Sequence, residues 1–129
     1  MQQDRSQLSE RMESFLSNPD AGMLRGDRRM GTEPLLDMLA DRISADGSNV
    51  IKVKKEEGMF DHISSKIISG KENFILIYVD IGVEETNSMV KMYPDVQIYK
   101  AKELCHQVPV CYRESLSDSK GNFVCSMSR

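Results

Sequence analysis

Three carboxylates follow one another closely at the end of the most regular apolar stretch of the chain, FILIYVDIG (74–82). Asp80 lies near the end of this stretch, and Glu84 and Glu85 come within the next five residues. Such a group could hold a hard cation such as Mg²⁺, which binds one or two protein carboxylates and keeps several waters. The same pattern fits an aspartate that ends a strand and caps the next helix, with two glutamates in the first helical turn. We favour the capping interpretation, because no phosphate-binding glycine loop accompanies these metal candidates.

Cysteines and histidines offer a second kind of chemistry. The chain has three cysteines and two histidines but no CxxC pair, so their spacing does not predict a structural zinc site. Cys105 and His106 are adjacent, and neighbouring residues on a helix point about 100° apart, which does not suit a nucleophile and its base. A dyad of Cys111 with His106 remains geometrically open. Neither a GxGxxG motif nor a P-loop motif occurs, so we expect no cofactor.

Two basic stretches are the candidates for nucleic-acid binding. They are LRGDRRMG (24–31) and IKVKK (51–55), and their basic residues are Arg25, Arg28, Arg29, Lys52, Lys54 and Lys55. Lys52 and Lys54 alternate with apolar residues and therefore share one face of a strand. If the fold brings the two stretches together, they form one cationic area beside which tyrosines could stack on unpaired RNA bases. The alternative is an ordinary solvated face, partly neutralised by Glu56 and Glu57.

Length, composition and charge limit the class of protein. With 129 residues and 40% hydrophobic content, we expect a single domain (1–129) whose core needs no disulfide or metal. No apolar run approaches the roughly 20 residues that span a bilayer, and the polar start lacks a signal-peptide pattern. An odd number of cysteines without a short pairing motif fits a reducing compartment, so we expect a cytoplasmic protein. The net charge of −3 argues against phosphate-backbone binding as the main function.

The first 45 residues are predicted to form two helices separated by a loop. Between residues 4 and 17 one helical face carries the apolar residues Leu8, Met12, Phe15 and Leu16. The segment AGMLRGDRRMG (21–31) has glycines near both ends and no periodicity, so we predict a surface loop. Thr32 is predicted to cap the second helix, whose apolar stripe consists of Leu35, Leu36, Leu39 and Ile43.

From residue 49 to residue 127, predicted strands alternate with predicted helices. The strands are NVIKVKK, NFILIYVDI, VQIYK and VPVCYRES; the helical segments are EEGMFDHISSKIISG, GVEETNSMVKMYP and the short AKELCHQ. This alternation implies right-handed crossovers. We therefore predict an α/β fold with a mostly parallel central sheet of about five strands, flanked by helices, with residues 74–81 at its centre.

The C-terminal residues are predicted to form an antiparallel hairpin. LSDSKGN (116–122) would turn the chain back into FVCSMS, and pairing that is symmetrical about Asp118 would place Cys111 opposite Cys125. A slip of one residue in the register would remove this pair. The nine methionines suit either core filling or an adaptable interface. The N-terminal helix either packs on its own sheet or exchanges with a second copy, so we expect self-association as a homodimer.

Two families resemble this chain. The order from Val50 to Met127, ending in VPVCYRESLSDSKGNFVC, resembles a thioredoxin-like domain, in which a proline begins a strand of the terminal hairpin; Pro109 would be that proline. The redox CxxC is absent, so thiol chemistry does not carry over. A small acidic α/β chain without a catalytic motif, ending at Arg129 as a protease-trimmed core would, also resembles the small packaging and assembly protein in the polymerase complex of cystoviruses, the double-stranded RNA bacteriophages. That resemblance implies a dimeric accessory factor that binds the capsid shell or polymerase, and RNA.

These features together predict a non-enzymatic interaction or assembly protein that works through a protein partner, with single-stranded RNA as an accessory ligand. In the host cell it would be cytoplasmic or part of a viral inner capsid. The competing predictions are a small metal-dependent enzyme that uses Asp80, Glu84 and Glu85, and a thioredoxin-like binding module without a redox motif.

Overall fold

The computed structural model describes residues 2–18, 22–104 and 107–114, which form four helices and five strands. In chain order these elements are α1 (Gln2–Ser17), β1 (Leu24–Arg25), α2 (Thr32–Ala45), β2 (Asn49–Val53), α3 (Met59–Lys66), β3 (Asn73–Ile77), α4 (Val83–Met92), β4 (Gln97–Leu104) and β5 (Val108–Glu114). The predicted α/β class is confirmed. None of the described helices is long and apolar enough to cross a membrane.

The five strands form one mixed sheet in the order β1-β5-β4-β3-β2. The pairs β2–β3 and β3–β4 are parallel, whereas β4–β5 and β1–β5 are antiparallel. The prediction of a mostly parallel sheet is therefore wrong. Its error has two sources: β5 returns beside β4 as a hairpin, and Leu24–Arg25, which we expected in a surface loop, pairs with Cys111 and Val110.

Strand β4 is longer than the sequence predicted. Residues 101–107 were expected to form a helical turn, but β4 continues to Leu104, and Lys102, Glu103 and Leu104 pair with β5. Ala, Lys, Glu and Leu all favour helices by a few tenths of a kcal/mol, roughly, and pairing with a neighbouring strand outweighs so weak a preference. The remaining part of that prediction, Cys105 and His106, lies outside the described residues, as does the hairpin with Cys125.

Strand β3 is an interior strand buried on both faces, as predicted, but it lies next to the edge strand β2 and β4 occupies the centre, so the prediction that residues 74–81 lie at the centre is wrong. All five of its side chains are buried. Phe74 and Leu76 point into a core formed with α1 and α2, whereas Ile75 and Ile77 point into a second core formed with α3 and α4. Because successive side chains of a strand alternate between faces, an apolar run of this kind requires a helical layer on each side. The molecule is therefore a three-layer α/β/α sandwich.

The first layer confirms both helical stripes predicted in the N-terminal segment. Leu8, Met12 and Phe15 of α1 are buried against the sheet, and the Phe15 ring lies 5.5 Å from that of Tyr99. The four predicted apolar residues of α2 are buried too. Thr32 does not cap α2, however: the cap position is Gly31, whose φ of 84° lies in the left-handed region that glycine adopts most readily. In this chain α1 packs on its own sheet.

The packing of α2 gives a direct test of the first layer. Leu39 is fully buried on α2, so Leu39→Ala should lower the free energy of unfolding by about 2–5 kcal/mol through lost contacts and a residual cavity. Met92→Ala on α4 is the control, because Met92 is 53% exposed and its truncation should change stability by less than about 0.5 kcal/mol. Urea unfolding followed by circular dichroism measures both variants. Equal effects would contradict the described layer.

Candidate functional site

The three metal candidates lie around the turn between β3 and α4. Asp80 is exposed after β3, and Glu84 and Glu85 lie in the first turn of α4, as predicted. Asp80 does not cap the helix: the cap position is Gly82, and no side chain bonds to the helix end there. Among the described residues, no three histidines, cysteines, aspartates or glutamates are grouped in a way that could hold a metal ion. The metal-dependent enzyme therefore stays a prediction, and the arrangement of these residues does not support it.

A cleft of about 260 Å³ lies beside the same turn. Its walls are formed by Glu56, Met59, Ile81, Gly82 and Glu85. Two of these residues carry carboxylates, which repel phosphate groups. This cleft is therefore not where the chain would contact an RNA backbone.

The predicted lysines lie on or directly after β2, the edge strand of the sheet: Lys52 belongs to the strand, and Lys54 and Lys55 follow its last residue. Lys52 and Lys54 lie on the same side, next to one ring: their Nζ atoms are 5.9 Å and 5.3 Å from the centre of the Tyr78 ring. The Tyr78 hydroxyl donates a hydrogen bond of 2.6 Å to Asp37, and Lys52 lies 3.4 Å from the same carboxylate. We call Asp37, Lys52, Lys54 and Tyr78 the edge cluster.

Protonation within the edge cluster follows from these contacts. Burial, together with the hydrogen bond to Asp37, raises the pKa of Tyr78, so its hydroxyl stays protonated and keeps donating. The hydrogen bond from Tyr78, with help from Lys52, lowers the pKa of Asp37 and keeps it ionised. Asp37 therefore neutralises part of the lysine charge. His62 also contacts the Lys52 carbonyl oxygen at 3.1 Å, so one polar backbone group of the edge strand is occupied.

The arginines lie at the opposite edge of the sheet. Arg25 belongs to β1, and Arg28 and Arg29 follow in the loop that leads to α2. Four strand spacings separate β1 from β2, or roughly 19 Å at about 4.8 Å per spacing. The fold therefore does not unite Lys52, Lys54 and Lys55 with the arginines, and the single cationic area considered from the sequence is not formed.

The arginine loop is fixed by backbone hydrogen bonds to the β4–β5 hairpin. Gly26 donates to the Pro109 carbonyl oxygen at 2.8 Å, and Arg29 donates to that of Gln107 at 3.0 Å. Arg29 and Gln107 have φ values of 68° and 60°, which are uncommon for residues other than glycine. Such conformations cost about 1–3 kcal/mol each and persist only where surrounding contacts enforce them. The loop therefore presents its side chains from a defined backbone.

Lys102 lies on the same face of the sheet as Arg25. Arg25 and Lys102 both pair with Val110, one from each side. Leu24 and Cys111 are buried in the core under α2, so Arg25 and Val110, which alternate with them, point to the other face. We define the basic corner as Arg25, Arg28, Arg29 and Lys102. The three arginines are exposed and Lys102 is partly exposed.

The charge of the basic corner is largely uncompensated. The salt bridges within the described part of the chain involve Arg42, Lys52 and Lys100 but no residue of the corner. Arg11 adds a further cation, because its guanidinium donates to the Arg25 carbonyl oxygen at 3.2 Å. Asp27 is the acid within the same loop. Lys102 was missed from the sequence because its segment was read as helical; the alternation of Lys100 and Lys102 was the available signal.

Next to the corner, on the same sheet face, lies a partly buried group of polar side chains. Tyr112 pairs with Lys100, and Lys100 lies 3.7 Å from the Glu114 carboxylate and 3.4 Å from the Ile81 carbonyl oxygen. Burial and the neighbouring Glu114 raise the pKa of Tyr112 to about 12. Burial also raises the pKa of Glu114 despite the attraction of Lys100.

The cysteine candidate is enclosed by the core. Cys111 is fully buried, and burial raises the pKa of its thiol well above the ordinary range. A buried thiol that stays protonated is a poor nucleophile. Its proposed partners, His106 for a dyad and Cys125 for a disulfide, lie outside the described residues.

Comparisons with known proteins identify no relative. No protein-family model, curated protein or solved structure matches this chain. The candidate site is consequently defined by its own geometry, as a basic corner on a fixed loop with a tyrosine beside it.

Glu114 provides a pH-dependent test of the polar group beside the corner. A raised pKa means that the folded protein binds this proton more tightly than the unfolded chain, so stability is highest below the ordinary pKa and falls as pH rises through the raised value. Glu114→Gln cannot ionise. We expect the wild type to lose stability relative to this variant between about pH 4 and pH 7, by about 1.4 kcal/mol for each unit of pKa displacement. Urea unfolding at both pH values measures it, and a pH-independent difference would contradict this assignment.

Proposed function

We propose that this chain is a non-enzymatic interaction protein that binds single-stranded RNA through the basic corner. The observation that supports this function is the set of cations there: Arg25 on β1, Arg28 and Arg29 in the loop that follows, and Lys102 on β4 across β5, without a salt bridge among the described residues. At the edge cluster, by contrast, Asp37 lies within 3.4 Å of Lys52. Among the two basic stretches, the corner therefore combines the larger number of cations without a salt bridge among the described residues.

The chemistry of arginine favours phosphate as the group that is bound. A guanidinium presents several N–H donors in a planar fork, which matches two phosphate oxygens and forms strong charge-assisted hydrogen bonds. Arg28 and Arg29 are exposed neighbours in a loop whose backbone is fixed at Gly26 and Arg29. A fixed loop loses little conformational entropy when it binds, so more of the contact energy appears as affinity.

The overall charge sets the strength of this contact. The chain carries a net charge of −3, so attraction to RNA is local and weakens quickly as salt screens it. RNA contact is therefore an accessory property of a protein that also binds a protein partner. This combination is what the resemblance to the cystovirus packaging protein implies, and a homodimeric assembly factor within a viral RNA packaging complex is the fuller form of the proposal.

The experiment is a fluorescence titration of a labelled, unstructured oligonucleotide at about 20 mM and about 150 mM salt. Arg28→Gln with Arg29→Gln should weaken binding about tenfold at low salt and reduce the salt slope by about 1.4, since each single-strand phosphate contact contributes about 0.7. The matched control is Lys54→Gln with Lys55→Gln, which removes equal charge from the opposite edge and should leave affinity within about twofold.

Two results would overturn the proposed function. One is the absence of RNA binding by the wild type even at low salt. The other is an equal loss of affinity in the arginine and lysine variants, which would mean that net charge, rather than the basic corner, determines binding.

A further inference from the structure

Tyr112 lies on the same sheet face as the basic corner and directly beside it. It follows Val110 by two residues on β5, so the two side chains point the same way, roughly 7 Å apart along the strand. Val110 lies between Arg25 and Lys102 in register, and Lys100 is directly opposite Tyr112. Arg25, Val110 and Lys102 thus lie side by side across three strands, and Tyr112 and Lys100 lie side by side two residues further along the strands.

Tyr112 keeps part of its surface exposed on this face, whereas Val110, two residues before it, is fully buried. Helix α2 packs against β4 and β5 from the other side of the sheet, where Tyr99 and Cys111 are fully buried. Tyr112 and Lys102 are only partly buried. A planar base could therefore contact the exposed part of the ring while its phosphates lie against the neighbouring cations.

We propose that Tyr112 stacks on an unpaired base of the RNA strand bound at the basic corner, so that the site selects single strands over duplexes. This inference rests on the function proposed above. Stacking of a base on an aromatic side chain contributes substantially to single-strand binding and tolerates any base, because every base has a π face. Bases in a duplex are already stacked on their neighbours and are not offered to a ring on a sheet face.

The charges around Tyr112 determine on which side of its ring the RNA backbone lies. Beyond Tyr112 on the same face comes Glu114, and both Glu114 and Asp80 act electrostatically on the Tyr112 hydroxyl. Phosphates are repelled on that side and attracted on the side of Arg25 and Lys102. The backbone therefore runs along the basic corner, while one base turns inward over the ring. With its pKa raised to about 12, Tyr112 stays uncharged at neutral pH and adds no repulsion of its own.

The test uses an unstructured oligonucleotide that contains 2-aminopurine, whose fluorescence is quenched when it stacks. We expect quenching by the wild type and by Tyr112→Phe, which keeps the ring, and loss of quenching in Tyr112→Leu. Affinity should fall at least about fivefold in Tyr112→Leu, with an unchanged salt slope, because stacking is lost but phosphate contacts are not. Tyr78→Leu, which removes a ring from the edge cluster at the opposite edge, is the control. Thermal unfolding shows that each variant is folded under the conditions of the titration.

The outcomes separate this inference from the proposed function. If RNA binds and the arginine variants weaken it, but Tyr112→Leu keeps wild-type affinity and quenching, the basic corner stands and the stacking role of Tyr112 is wrong. Equal affinity for single-stranded and duplex RNA of the same length would overturn it in the same way. If the wild type binds no RNA, the proposed function itself fails and the inference fails with it. If Tyr112→Leu is unfolded, Tyr112→His, which keeps an aromatic ring, must retain quenching.

Discussion

The burial of β3 on both faces is the constraint on which the rest of the structure depends. Five consecutive apolar or amide side chains leave no face of this strand for water, so the chain must supply a helical layer on each side. Helices α1 and α2 form one layer, and α3 and α4 form the other. Asn73, the polar member of the run, is accommodated by hydrogen bonds with Asn49, Ile68 and Lys71. The apolar side chains of β3 are thus buried, and its one polar side chain is hydrogen-bonded.

The ends of the sheet show a second principle, the protection of its edges. A strand at an edge presents polar backbone groups that can pair with another chain, and lysines or very short strands reduce that risk. Strand β2 carries Lys52 on one face and accepts a contact from His62 at its backbone, whereas β1 has only two residues. Sheet edges of this kind do not favour edge-to-edge association. The recognition surface that we propose is accordingly a loop and a sheet face rather than a sheet edge.

The elements that the sequence predicted are those whose signals are local and strong. The buried run of β3 and the apolar stripes of α1 and α2 depend on side-chain periodicity, which does not change when the chain folds. Strand β1 was missed because two residues carry no period; only their pairing with β5 makes them a strand. The extension of β4 was missed because its residues favour helices, and pairing with β5 decided otherwise.

The sequence predicted the residue types of the candidate site but not their arrangement. Arg25, Arg28 and Arg29 stood out by composition, but nothing local could show that they lie at the opposite edge from Lys52, Lys54 and Lys55. That separation depends on strand order, which is a long-range property. Lys102 could be assigned to the site only from the structure, because it lies in the part of β4 that the sequence predicted to be helical. Charge neutralisation by Asp37, which is 15 residues from Lys52, likewise required the fold.

The central claim is that the basic corner, rather than the lysine-bearing edge, is the surface that binds single-stranded RNA. Nuclear magnetic resonance tests it most directly, by recording ¹⁵N–¹H spectra of the full chain while an unstructured oligonucleotide is added at low salt. We expect the shifts to concentrate on the amides of Arg25, Arg28, Arg29 and Lys102, with those of Lys52 and Lys54 nearly unchanged. Shifts centred on β2, or spread evenly over the exposed lysines and arginines, would contradict it.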